Sequence, residues 1–75
     1  MARCQYHAKY REIGRRVAFY RTMRGLSQEE LAKKCGVSRQ TVNAIENNKY
    51  DPTLALAFSL AKELQLTVDE LFIPA

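Results

Sequence analysis

An all-α fold, a compact bundle of five short helices, is what this sequence predicts, and three observations predict it. Apolar residues recur at three- and four-residue intervals, as at Ile13, Val17 and Tyr20, and no segment alternates as a strand would. Ser27, Ser38, Thr53 and Thr67 each stand just ahead of such a run, where a hydroxyl satisfies the free amides of a first helical turn. Gly25 and Gly36 close runs of this kind by supplying the left-handed residue that ends many helices. With 47% apolar and 27% charged residues among 75, the chain has the balance of one small globular domain. A domain of that size buries only about 60% of the surface its unfolded chain exposes, so its stability is modest.

The elements follow in order. Ile13, Val17, Tyr20 and Arg24 share one face of a first helix over residues 10–24, which Gly25 ends. Ser27 caps the second helix, and Glu30, three residues on, completes a capping box. Leu31, Ala32 and Cys35 give that helix its buried side, and Gly36 stops it. Ser38 caps a third helix running to about residue 47, with Val42 and Ile45 facing inward and Asn48 in the left-handed region after it. Tyr50-Asp51-Pro52 is a turn, because proline disfavours helix at the residue before it. Thr53 caps a fourth helix over residues 54–64. Its apolar residues cover most of the circumference, as in a helix placed in a core or an interface. Thr67 and Glu70 form a second capping box and open a short fifth helix through Phe72, before Ile73-Pro74.

The informative stretch is residues 26–47, two short helices joined through Gly36-Val37-Ser38, which reads as a helix-turn-helix. Gly36 suits the sharp reversal, and the small Ala32 lets the third helix cross the second closely. Leu31, Val37, Val42 and Ile45 supply the shared apolar contact. What remains on the third helix is an outward face of Arg39, Gln40, Asn43, Ala44 and Asn47, polar but with a single charge. A merely solvated face more often carries Glu and Lys. Arg and Gln are the side chains that read guanine and adenine edges bidentately, and a helix about 13 Å long lies comfortably in a major groove.

Charge and composition narrow the function classes. Seven basic residues against Glu12 leave residues 1–25 at +6, while residues 51–75 stand at −3, within a net charge of +4. The basic end favours a polyanion such as nucleic acid. Cys4 and His7 form a C-x-x-H that lacks the further ligands zinc needs, so no metal or other cofactor is expected. A single histidine without a nucleophile partner argues against catalysis. No window approaches the roughly 20 apolar residues of a membrane span, and the N-terminal residues hold no secretory apolar region, so a cytoplasmic protein is expected.

The sequence resembles the Cro/phage-repressor-type helix-turn-helix family of bacterial transcription regulators, also called the xenobiotic-response-element type. The resemblance covers about residues 11–73. It rests on Ile13-Gly14, Arg21, Gly25-Leu26-Ser27-Gln28-Glu29-Glu30-Leu31-Ala32, Gly36-Val37-Ser38, Thr41-Val42, Ile45-Glu46-Asn47 and Pro52. It implies a lambda-repressor-like DNA-binding domain over residues 10–75, binding double-stranded DNA and acting by occupancy, blocking or recruiting polymerase. Gln28 is similar to the family's glutamine that contacts a phosphate and braces the recognition helix. Ser38, Arg39, Gln40 and Thr41 match the start of that helix, where base edges and a nearby phosphate are met. Ala44 matches a base-facing position whose methyl suits a thymine methyl, and Asn43, Asn47 and Lys49 fall along the phosphate backbone. Arg21 and Glu46 resemble the family's partly buried structural ion pair.

Asn48 stands where the family usually has glycine, adding bulk near the DNA approach. Phe19 replaces a typically charged residue and lies one turn from Met23; a local surface pair is the plain reading, a protein-contact patch the sharper one. Residues 1–9 precede the match as a basic segment, for which fraying is the plain reading and an arm bringing Arg3 and Lys9 to DNA the other. One recognition helix reads only a few base pairs, so a homodimer on a palindromic operator is expected. Leu66, Val68, Leu71, Phe72 and Ile73 are its expected surface, with help from the fourth helix. The alternatives are an antitoxin or restriction-modification controller that also binds a protein, through Phe19 and Met23, and a general RNA binder. Tyr6, Tyr10 and Tyr20, spread along a helix, do not make the aromatic platform an RNA module uses.

Overall fold

Five helices make up the computed structural model, which describes the backbone of residues 2–72 and the side chains of residues 13–72. They are α1 Ala2–Met23, α2 Gln28–Cys35, α3 Arg39–Glu46, α4 Leu54–Glu63 and α5 Val68–Phe72. The all-α expectation holds, with no strand among the described residues. One boundary differs. The periodicity predicts a start near residue 10, whereas α1 begins at Ala2. Residues 2–9 contain no Gly, Pro, Ser, Thr, Asp or Asn, so nothing there caps or breaks a helix. The side chains of Arg3, Cys4, Tyr6, His7, Lys9 and Tyr10 lie outside the described residues.

Local chemistry starts and stops the other helices. Ser27 Oγ accepts from the Glu30 amide at 3.0 Å, and the Ser27 amide donates to Glu30 Oε1 at 2.8 Å. That amide holds the Glu30 carboxyl below its ordinary 4.5. Thr67 and Glu70 repeat the box at 3.1 and 2.8 Å, while Ser38 and Thr53 cap α3 and α4. Helices α1 to α4 end in one way, with a left-handed residue whose amide and whose successor's amide both turn back onto the last carbonyls. The four left-handed residues are Gly25 (φ 72°), Gly36 (φ 71°), Asn48 (φ 60°) and Gln65 (φ 61°). Asn48 conforms to the sequence expectation. Gln65 was not anticipated.

Each helix contributes to one core. Ile13 and Val17 of α1, Leu31 and Ala32 of α2, and Val42 and Ile45 of α3 meet Leu56, Leu60, Ala61 and Leu64 around α4 and Leu71 of α5. Burying a side chain the size of Val, Leu or Ile contributes roughly 1.5–3 kcal/mol before entropy is set against it. Helix α1 packs on α3 and α5, α2 on α3 and α4, and α4 on α5. Arg24 is exposed rather than inward, and its Nε donates to the Leu64 carbonyl at the end of α4 at 3.1 Å.

Leu54 and Phe58 of α4 stay exposed, so the chain's own core covers the apolar helix only in part. One expectation about apolar residues changes. Leu71, assigned from sequence to a dimer surface, is fully buried in the chain's own core and has no surface to offer a partner. Leu66, Val68 and Phe72 are half-buried against that core, and Ile73 lies outside the described residues.

Candidate nucleic-acid interface

The tight link between α2 and α3 sets the outward face of α3. Gly36, at φ 71°, lets the chain reverse without the strain another residue would meet. Val37 then packs on the core, and Ser38 accepts from the Thr41 amide at 3.2 Å to start α3. The Ser38 and Thr41 hydroxyls also share a hydrogen bond of 3.0 Å, so both serve the cap. With Val42 and Ile45 fully buried, the opposite side of α3 must project. Arg39, Gln40, Asn43 and Asn47 are all exposed there, and Ala44 is half-buried between them. Lys49 is exposed in the following turn. Among the described residues neither Arg39 nor Lys49 is tied up in an ion pair.

Behind this face runs a chain of side-chain hydrogen bonds. Arg21 Nε donates to Glu46 Oε2 at 2.6 Å and its Nη2 to Oε1 at 3.3 Å, joining α1 to the end of α3. Arg21 Nη1 donates to the Leu26 carbonyl at 2.8 Å, and the Arg21 and Glu46 side chains are only 18% and 7% exposed. Gln28 Nε2 donates to Glu46 Oε1 at 2.8 Å, and Gln28 Oε1 accepts from Asn43 Nδ2 at 3.4 Å. Asn47 Nδ2 reaches the Asn43 carbonyl at 2.8 Å and Asn43 Oδ1 at 3.3 Å. Every polar residue anticipated for the DNA-facing site lies on α3, in the turns that flank it, or at the start of α2.

Sequence reasoning missed one residue that the site depends on. A Cβ on Gly14 would come within 2.9 Å of the Glu46 carbonyl oxygen, and closer to that of Ile45. The bare Cα of Gly14 thus admits the end of α3 against α1. A lone glycine inside a helical run is the signal that marks such an approach. Elsewhere, among the described residues, no three His, Cys, Asp or Glu side chains are placed to hold a metal ion. No described helix is long and apolar enough to cross a membrane.

Two helices across a left-handed turn, the second bearing an exposed polar face, define a helix-turn-helix DNA-binding domain. The helix-turn-helix family model matches residues 17–71. An uncharacterized HTH-type transcriptional regulator of Methanocaldococcus jannaschii is 52% identical over 58 residues, covering 77% of this chain and 88% of its own. The restriction-modification controller protein C.AhdI of Aeromonas hydrophila superposes with a TM-score of 0.80. It is 35% identical, over 87% of this chain and 98% of that one. SinR, the master regulator for biofilm formation, solved in complex with DNA, gives a TM-score of 0.73. It is 33% identical, over 79% of this chain and 95% of that one. The chain belongs to the Cro/C1-type helix-turn-helix family of DNA-binding transcriptional regulators.

Proposed function

We propose that this protein is a sequence-specific regulator that binds double-stranded DNA as a homodimer on a palindromic operator, with α3 in the major groove. One observation carries the reading: Arg39, Gln40, Asn43 and Asn47 project together while Val42 and Ile45, on the reverse of the same helix, are fully buried. Arg39 and Gln40 read base edges, Ala44 meets a thymine methyl, and Gln28, Ser38, Thr41 and Lys49 hold the phosphates on either side. Two-fold pairing doubles the few base pairs one helix can read. The pairing surface is the cleft between Phe58 and the segment of Leu66 and Val68, together with the half-buried Phe72; Phe58 is 57% exposed. Selection from a random duplex library at near-physiological salt tests the reading. An inverted repeat with half-sites about 10 base pairs apart is expected. Salt-sensitive binding without enrichment overturns it, since only the phosphate attraction would then remain.

A second reading adds a protein partner, as for a restriction-modification controller or an antitoxin. Its support is the pair Phe19 and Met23, 58% and 64% exposed one turn apart on α1. The Phe19 and Tyr20 rings make a T-shaped pair with centroids 5.2 Å apart. A partner that binds the wild type but not Phe19→Ser would establish it.

A further inference from the structure

We infer that Glu46 is a positioning residue for DNA recognition, which sets the orientation of the amide side chains of Gln28, Asn43 and Asn47. The inference rests on the reading of α3 as the DNA-facing helix. A carboxylate only accepts hydrogen bonds. Glu46 takes two from Arg21 and a third from Gln28 Nε2 at 2.8 Å. The Gln28 amide must therefore turn its NH2 inward, which leaves Oε1 directed at α3, where Asn43 Nδ2 donates to it at 3.4 Å. With its NH2 so engaged, Asn43 offers Oδ1 to Asn47 Nδ2 at 3.3 Å. The order of donors and acceptors along these three side chains is thus dictated from one carboxylate that is 7% exposed.

An ion pair that only clamped α1 to α3 would need no contact with Gln28. The charge-assisted bond to Gln28 is the stronger kind. It holds in advance a half-buried amide that would otherwise lose rotamer freedom on meeting a phosphate. Arg21 supplies the opposite charge that keeps this carboxylate ionised beside the core, a charge that lysine retains. A neutral amide at position 46 could show Gln28 either a donor or an acceptor, so the outer order would no longer be fixed.

The test compares Glu46→Gln, Arg21→Lys and Gln28→Ala in the full chain, by side-chain amide NMR and by affinity for the selected duplex measured on folded protein. The Gln28 NH2 signal is expected to shift in Glu46→Gln and to persist in Arg21→Lys. Affinity is expected to fall about tenfold in Glu46→Gln, to change by no more than about twofold in Arg21→Lys, and to fall no further when Glu46→Gln is added to Gln28→Ala. Equal losses in Glu46→Gln and Arg21→Lys overturn the inference, leaving Glu46 a clamp between helices. So does a tenfold loss that survives in the Gln28→Ala background. A Gln28 signal unmoved by Glu46→Gln overturns it without reference to DNA. A wild type that binds no duplex overturns the functional reading instead, while the NMR result still decides what orients Gln28.

Discussion

The carbonyl oxygen of Ile45, in the last turn of α3, occupies the space that a side chain on Gly14 of α1 would fill. The Glu46 carbonyl and Asn48 Oδ1 close the same space, at 2.9 and 2.7 Å from a would-be Cβ. In an open helix, Gly→Ala gains about 1 kcal/mol of propensity. Here two of the three obstructing atoms belong to the backbone and cannot swing aside. Overpacking of that kind costs about 1–3 kcal/mol. Gly14→Ala is therefore expected to lower the denaturation midpoint, and a rise would show that α1 and α3 can part without cost.

In the proposed binding mode, Arg39 and Lys49 separate base reading from phosphate attraction. Arg39→Ala should cost about 1–3 kcal/mol on the best duplex and relax the preference at one base position. Lys49→Ala should weaken all duplexes alike and reduce the salt slope by about 1. Binding titrations on matched and singly altered duplexes, at several salt concentrations, distinguish the two. Uniform losses from Arg39→Ala would take base reading away from that residue.

Gln65 holds φ 61° with its side chain exposed. The left-handed region costs a residue with a Cβ about 1–2 kcal/mol, of which glycine's greater freedom in the unfolded chain returns part. Gln65→Gly is expected to stabilise the fold by about 0.5–1 kcal/mol, read from chemical denaturation. Destabilisation would mean that the Gln65 side chain holds the link between α4 and α5.

Desolvation pushes the Cys35 thiol up from its ordinary 9.0 to about 11, and the nearby Glu63 carboxylate adds to the rise. The folded state then holds this proton more tightly than the unfolded state. The stability this confers is complete below pH 9.0 and is lost as the pH climbs to about 11. In a Cys4→Ser background, native Cys35 should react with iodoacetamide at pH 8 about tenfold or more slowly than in denaturant. Equal rates would place the thiol in open solvent.

How much of this was legible depended on how local each cause is. Gly25, Gly36 and Asn48 announce helix ends because few residues take the left-handed region readily. Gln65 carries no such preference; its turn closes α4 just ahead of Leu66, which packs on the core, and of the Thr67 cap. The outward face of α3 was legible because a period of 3.6 divides Val42 and Ile45 from Arg39, Gln40, Asn43 and Asn47. The bonds from Gln28 to Glu46 and from Asn43 to Gln28 were not legible from periodicity, since they join residues 18 and 15 apart that only the packing of α2 against α3 brings together; the family resemblance alone set Gln28 against α3. Leu71 looked like interface because an apolar residue in a short helix serves a partner or its own core equally well by pattern.

The order in which the helices touch closes on itself: α1 lies on α3, α3 on α2, α2 on α4, α4 on α5, and α5 again on α1. A ring of neighbours has no terminal member to peel away, so releasing any one helix strips a side from two others. Local melting of α3 would uncover Val42 and Ile45 and, through Gly14 and Arg21, loosen α1 as well. The α3 segment is thus as durable as the whole domain. Its slowest-exchanging amides in α1, α3 and α4 should open together, in one cooperative event.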